Sequence, residues 1–215
     1  VVGGPGLSFR ALEGGLAPVP KIPAEVRERA RRLAVAGAPT LHAALAKRDP
    51  VMAARLEPAD RQRVARAWEV VEATGVSLAE WHSRPATAPD IGVADARIVL
   101  MPPREWLYAR CDARFTDMVA RGAVQEVAAL ETRGLDPSLP AMKAVGVPEL
   151  RRHLRGEATL DDAVQSGQTA VRRYAKRQLT WFRHHMAEWT ELTESKPEAL
   201  ARTILSRRRG ALTTH

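Results

Sequence analysis

At 215 residues the chain can bury a real core, as one elaborated domain or two small ones. Its 27% charged and 45% apolar residues are ordinary for a globular protein and exclude disorder, and no apolar run approaches the roughly 20 residues of a membrane span. The net charge of +8 rests on arginine, since only five of 33 basic residues are lysine. Guanidinium forks match phosphate geometry, so a polyanionic partner is indicated, with a compositional bias toward Ala, Arg and Pro as the alternative.

The first residues, Val1-Val2-Gly3-Gly4, carry no basic n-region and do not begin with Met. They read as the end of a buried strand entering a glycine turn, and the expectation is a chain that opens in mid-strand, as a fragment. Pro18, Pro20 and Pro23 make an extended connector. Helices are predicted over 24–36, 40–47, 50–56 and 60–74. Asp49-Pro50 is a start signal, an N-cap followed by proline at the first helical position, and Gly75 is a stop. A Pro-, Ala- and Thr-rich stretch, 83–89, closes this block.

A β-branched run over 96–101, ending in Pro102-Pro103, predicts a strand. Helices follow over 104–121, 123–133, Val147–Leu154 and Leu160–His185, then a short strand over 188–192 and a last helix over 197–207. There is no internal repeat. The fold class expected is α/β in a chain that is itself mainly α: a helical insertion, 23–89, between core pieces 1–22 and 90–215. The core is short of strands, which again suggests missing sequence.

In the 104–121 helix, Leu107, Cys111, Phe115 and Met118 recur at helical spacing and predict a buried stripe. Arg110 and Arg114 lie at its edge, where a guanidinium is costly unless an anion meets it. Either a carboxylate such as Asp112 or Glu126 pairs with it, or it clamps a phosphate or diphosphate. Cys111 is the only cysteine, which excludes an internal disulfide and a cysteine-built zinc site and fits a reducing cytoplasm.

The helix over Leu160–His185 starts with Thr159 as cap and Asp161 and Asp162 in its first turn, and ends basic. Arg172, Lys176 and Arg183 share one face, and Arg173, Arg177 and His184 its neighbour, with Tyr174 and Trp181 among them. Dipole complementarity explains part of this, and a solvated face is the bland reading; a footprint for a nucleic-acid backbone is the sharper one. The segment from Asp60 through Arg66 clusters basic and amide residues at a helix N-terminus, where free backbone N–H groups favour an anion. The apolar loop from Pro140 to Val147, with Lys143 and Gly146, says only that it is tight and packed.

No G-x-x-x-x-G-K-[ST] loop occurs in the sequence, and Gly3-Gly4-Pro5-Gly6, without lysine, is a poor phosphate cradle. His184-His185 are adjacent and face apart on a helix, so no metal ligand set is predicted. By themselves these residues hold a polyanion and catalyse nothing evident.

Assembled in order, the sequence resembles the bacterial tRNA dimethylallyltransferases. The resemblance rests on Gly3-Gly4-x-Gly6-Leu7, Leu16-x-Pro18-x-Pro20, Asp49-Pro50-x-x-Ala53-Ala54-Arg55 and Pro58-x-Asp60-x-Gln62-Arg63. It continues through Arg66-Ala67-x-Glu69-Val70, Arg114-Phe115-x-x-Met118, Glu126-Val127-x-Ala129-Leu130 and Pro140-Ala141-Met142-Lys143-Ala144-x-Gly146. Tyr174-Ala175-Lys176-Arg177-Gln178-x-Thr180-Trp181-Phe182-Arg183 completes it. Each motif is weak alone; their joint order is specific.

The resemblance implies a P-loop NTPase-like core with a helical insertion that grips the tRNA anticodon stem-loop. It implies transfer of a dimethylallyl group from dimethylallyl diphosphate to the exocyclic amine of the adenosine 3′ of the anticodon, with Mg²⁺ on the diphosphate. A flipped adenine fits the general need to extract a base before modifying it. Arg114 matches the diphosphate-binding arginine. Arg61, Gln62, Arg63, Val64 and Ala65 match one tRNA-binding segment, and Met142, Lys143, Ala144, Val145, Gly146 and Val147 another. Pro5, Lys176, Arg177 and Arg183 are further candidate contacts. A cytoplasmic monomer with no membrane partner is expected.

The family's P-loop and catalytic carboxylate have no counterpart, so the base is expected upstream of Val1. Pro5 stands where threonine is usual, and Ser8 where an aromatic is common. The alternative is a non-catalytic tRNA-binding remnant. A prenyltransferase acting on free adenylate is disfavoured, because the helical insertion would have no RNA to hold.

Overall fold

The computed structural model describes residues 2–90, 97–137, 139–193, 198 and 201–206. It is mostly helical with a small parallel sheet, and packing divides it into two compact units, Leu7–Ile91 and Val1–Gly6 with Gly92–His215.

The helical unit contains α1 (Gly6–Gly14) beyond its first residue, α2 (Ala24–Val35), α3 (Ala38–Arg48), α4 (Pro50–Arg55), α5 (Arg61–Thr74) and α6 (Leu78–Ser83). Asp49 Oδ1 accepts the Met52 N–H at 3.0 Å and Pro50 opens α4, as the sequence predicts. Gly75, at φ 70°, ends α5 in the left-handed region that suits glycine. Leu41 and Leu45 from α3 meet Val64, Ala67, Trp68 and Val71 from α5, with Val26 and Ala30 from α2 and Ile22 from the connector. Burying a leucine in such a core is worth about 1.5–3 kcal/mol. α1 and α6 are absent from the sequence reading. The first has no buried residue and so no stripe, and the second is only six residues long.

In the other unit β1 (Ile98–Leu100) pairs in parallel with β2 (Thr190–Leu192), in register Ile98↔Thr190. Between them run α7 (Arg104–Ala120), α8 (Ala123–Thr132), a 3₁₀ turn (Pro140–Lys143), α9 (Val147–Leu154) and α10 (Leu160–His185). Parallel strands need a long crossover, here supplied by these helices, and that is what makes the unit α/β. α10 packs on α7 and α9. Thr159 and Asp162 form a reciprocal capping box at its start.

One expectation changes. Val2 is exposed in irregular backbone rather than ending a strand, because no described strand lies beside it to pair with; Val1 is outside the described residues. The predicted last helix is seen over 201–206, while Pro197 and Arg207 lie outside the description, as does Ala96 of the predicted strand.

Candidate nucleic-acid interface

α10 buries one side through Ala163, Gly167, Ala175 and Leu179. The opposite side exposes Arg173, Lys176, Arg177, Arg183, His184 and His185 along its second half. A shallow recess of about 480 Å³ is lined there by Arg173, Lys176, Arg177, Thr180, Trp181, His184 and His185. Trp181 stacks on His185 with ring centroids 4.3 Å apart and planes 7° from parallel. Each histidine holds Nδ1 against a backbone carbonyl, His184 on Thr180 and His185 on Trp181, at 2.7 and 3.0 Å. A carbonyl only accepts, so Nδ1 donates and Nε2 is left for another partner. Cations beside an aromatic pair suit phosphates and bases together.

Arg172 departs from the predicted stripe. Its guanidinium donates to Asp112 on α7, at 2.5 Å, and to Thr169 Oγ1, at 2.9 Å, so it ties α10 to α7.

The glycine loop of residues 3–6 seats on this same helix. A Cβ at Gly6 would lie 2.0 Å from Trp181 Cε3, and one at Gly4 would lie 2.5 Å from Gln178 Nε2. Backbone therefore lies almost flush on α10, with Pro5 exposed between the two glycines. Phe115 plays a matching part for the second loop. Its ring is 2% exposed and fills the space that a Cβ would need at Gly146 and at Gly167. It thereby sets the 140–147 loop against α7 and α10.

Lys143, Ala144 and Val145 of that loop face solvent. Met142, 3% exposed, does not, and Val147 packs on the core formed by Val127, Leu150 and Ala163. Of these two matched positions, Met142 is buried and Val147 partly so, each turned toward neighbouring helices. On α5, Arg61, Gln62 and Arg63 are exposed, Ala65 is half-buried, and Val64 is fully buried in the helical core. The N-terminus of α5 is also less open to anions than expected. Asp60 accepts the Arg63 N–H at 3.3 Å and its carboxylate lies 3.4 Å from Arg63 Nε. A carboxylate already occupies the dipole's positive end.

The predicted stripe of α7 is buried fully only at Phe115; Met118 is 42% exposed, and Leu107 and Cys111 are half-buried. α7 touches its neighbours along a narrow line, so Arg110 and Arg114 project into solvent instead of toward a core. Asp112, one suggested partner, is engaged by Arg172. Among the described residues no hydrogen bond or ion pair holds Arg114. Its charge is felt at Cys111, whose thiol is pushed up by burial and by Asp112, while Arg114 and Arg172 oppose that shift.

Sequence reading did not find a second recess, lined by Arg29, Arg32, Leu33, Ala44, Lys47, Arg48, Trp68 and Glu72. It draws on three helices, and no local motif marks it.

The fold and these surfaces define an α/β protein with an exposed basic face in each of its units. The family profile described as IPP transferase matches residues 1–185, and the chain belongs to that family. It is 54% identical over 209 residues to a tRNA dimethylallyltransferase of Rhodopseudomonas palustris, covering 95% of this chain and 64% of the relative. A tRNA dimethylallyltransferase of Nitrobacter hamburgensis is 55% identical over 202 residues, covering 91% and 63%. A crystal structure of a tRNA isopentenylpyrophosphate transferase from Bacillus halodurans superposes with TM-score 0.52 at 28% identity, covering 98% of this chain and 67% of that one. The chain thus spans a little under two thirds of the length of these two curated relatives.

Proposed function

We propose that this chain is the RNA-gripping and diphosphate-contacting portion of a tRNA dimethylallyltransferase. In that reaction the C–O bond of dimethylallyl diphosphate breaks, diphosphate leaves, and the allylic carbon bonds to the exocyclic amine of the adenosine 3′ of the anticodon, which gives up one N–H proton. The observation that carries the reading is the exposed basic face of α10 around Trp181, in a chain of this family. Arg114, exposed and without an ion-pair partner among the described residues, suits the diphosphate. A guanidinium fork would neutralise the charge that grows on the leaving group as the bond breaks. Arg61, Gln62 and Arg63 on one unit, and Lys143, Ala144 and Val145 with Lys176, Arg177 and Arg183 on the other, are the proposed contacts to the anticodon stem-loop.

Mg²⁺ belongs to the proposal only as a companion of the diphosphate. Among the described residues no three His, Cys, Asp or Glu side chains converge into a metal-binding group. Mg²⁺ commonly takes substrate phosphates with one or two carboxylates. In such an arrangement the diphosphate itself would supply most of the ion's ligands. No helix among the described residues is long and apolar enough to cross a membrane. With its free Cys111, the chain suits a reducing cytoplasm.

The test is binding of anticodon stem-loop RNA by the 215-residue chain across a salt series. Binding that weakens linearly in log–log form is expected, as counterions are displaced from phosphates. Absence of RNA binding at low salt would sink the reading.

A further inference from the structure

The helical unit holds a cationic feature that the proposed contacts do not use. α2, α3 and α5 frame an open recess of about 500 Å³ with Arg29, Arg32, Lys47, Arg48, Trp68 and Glu72 around it. The Glu72 side chain is only 10% exposed and stands between two guanidiniums. Arg29 Nη2 lies 2.9 Å from its Oε1, and Arg48 Nη2 lies 3.3 Å from its Oε2, an ion contact without a hydrogen bond. Arg29 also lies over the Trp68 ring, 5.5 Å from its centroid.

A guanidinium has five N–H donors, so one carboxylate leaves most of them unused. The side chains of Arg29 and Arg48 remain 48% and 59% exposed. Arg32 and Lys47 are exposed and form no ion pair among the described residues. Four cations therefore face one carboxylate.

Helix dipoles explain part of this, because Arg32 closes α2 and Lys47 and Arg48 close α3. They do not explain Arg29, a turn earlier. They also run against Glu72, which sits in the last turn of α5, where negative charge is disfavoured. Its evident work is to fix two arginines.

We infer that this recess is a sequence-independent contact for the phosphate backbone of an RNA stem, with Arg29 and Arg48 preset by Glu72 and with Arg32 and Lys47 free to follow the strand. The inference rests on the RNA reading above and adds a second contact to it. Glu72 lies eleven residues beyond Arg61 on α5. At 1.5 Å per residue that is roughly 16 Å, several times the axial spacing of about 3.4 Å per phosphate on one strand of a duplex. The recess and the start of α5 therefore meet different phosphates. Its openness favours a backbone over a free diphosphate, which would be better held in an enclosed pocket.

The experiment compares the full chain with its Arg32→Gln/Lys47→Gln double variant on two RNA hairpins that share a loop and differ in stem sequence. Anisotropy titrations over a salt series should show the same loss of affinity on both hairpins. The log–log salt slope should fall by about 1–2, one contact per lost cation. Unchanged affinity and slope would overturn the inference, as would a loss confined to one stem, or a loss of inorganic diphosphate binding instead. Glu72→Gln adds net positive charge. A preset clamp then binds RNA more weakly, whereas equal or tighter binding overturns the presetting by Glu72. Thermal melts of both variants check that the fold is kept. If the unaltered chain binds neither hairpin, the RNA reading itself fails. If Arg173→Gln/Lys176→Gln/Arg177→Gln weakens binding and the Arg32/Lys47 pair does not, only this inference falls.

Discussion

Arginines are treated differently in the helical unit and along α10. In the helical unit many are anchored, Arg29 and Arg48 to Glu72, Arg63 to Asp60, Arg66 to Glu69 and Arg84 to Glu80, although Arg32 and Arg61 have no ion pair among the described residues. Along the second half of α10, Arg173, Lys176, Arg177 and Arg183 have no carboxylate partner among the described residues, and only Arg172 is tied down, by Asp112. The cores differ in parallel. Aliphatic packing is continuous from Ile22 to Leu78 in the helical unit, whereas the α7–α10 contact combines one ring, Phe115, wedged at two glycines, with polar ties such as Arg172 to Asp112. A well-packed unit with several paired arginines suits recognition of backbone shape. A long helix with bare cations suits strong, salt-sensitive attraction.

The most severe way to break this contrast is Phe115→Ala. Removing a ring from a packed core costs about 3–5 kcal/mol. The expected outcome is loss of hydrogen-exchange protection in α7, α10 and the 140–147 loop, with α3 and α5 keeping theirs. Loss spreading equally into α3 and α5 would show that the two units unfold as one.

Next in size is the Arg173→Gln/Lys176→Gln/Arg177→Gln triple variant. If all three cations meet phosphates, the log–log salt slope for a hairpin should fall by roughly 2–3. Bare cations make the effect larger than for the anchored arginines, and an equal effect from Arg63→Gln alone would erase the distinction. Arg114→Ala is expected to act on turnover and not on RNA. In a full-length relative carrying this chain in place of its own matching segment, kcat/KM for the allylic diphosphate should drop about 10- to 100-fold. That is the size of a lost hydrogen bond to a charged group, about 1.5–3 kcal/mol. RNA affinity should hold; unchanged kinetics would make Arg114 a surface residue only.

The sequence already displays much of this. The start of α10 is legible, because Thr159 with Asp162 in the first turn is a local capping signal. So is the basic run of α10, since a helix face follows from spacing alone. What is not legible depends on crossings between distant segments. Arg172 reads as one cation of a basic face, and only the approach of α7 to α10 gives it Asp112, sixty residues away. Val64 and Met142 sit inside motifs that resemble RNA contacts, but a motif names a segment and not which of its side chains turns inward. The Glu72 recess needs α2, α3 and α5 together, so no window of sequence contains it.

The smallest effect sharpens the contrast from the other side, at an anchored pair within the α10 unit. Glu131 on α8 takes hydrogen bonds from Arg151 and Arg155, on and just after α9. The Arg151 bond, more than the Arg155 bond or either charge, holds its carboxyl below the usual glutamate range. A lowered folded value means that this stabilisation is fully present above the unfolded glutamate pKa, about 4.3, and is lost as pH falls through the folded value. The Tm gap between the unaltered chain and Glu131→Gln should therefore be constant from about pH 6 to 8 and close below about pH 4. The pair is half-buried at the surface, so the gap should be modest and shrink with added salt. A gap that persists in acid would mean that Glu131 acts through packing, leaving α8 and α9 joined by their apolar contact at Val127 and Leu150 alone.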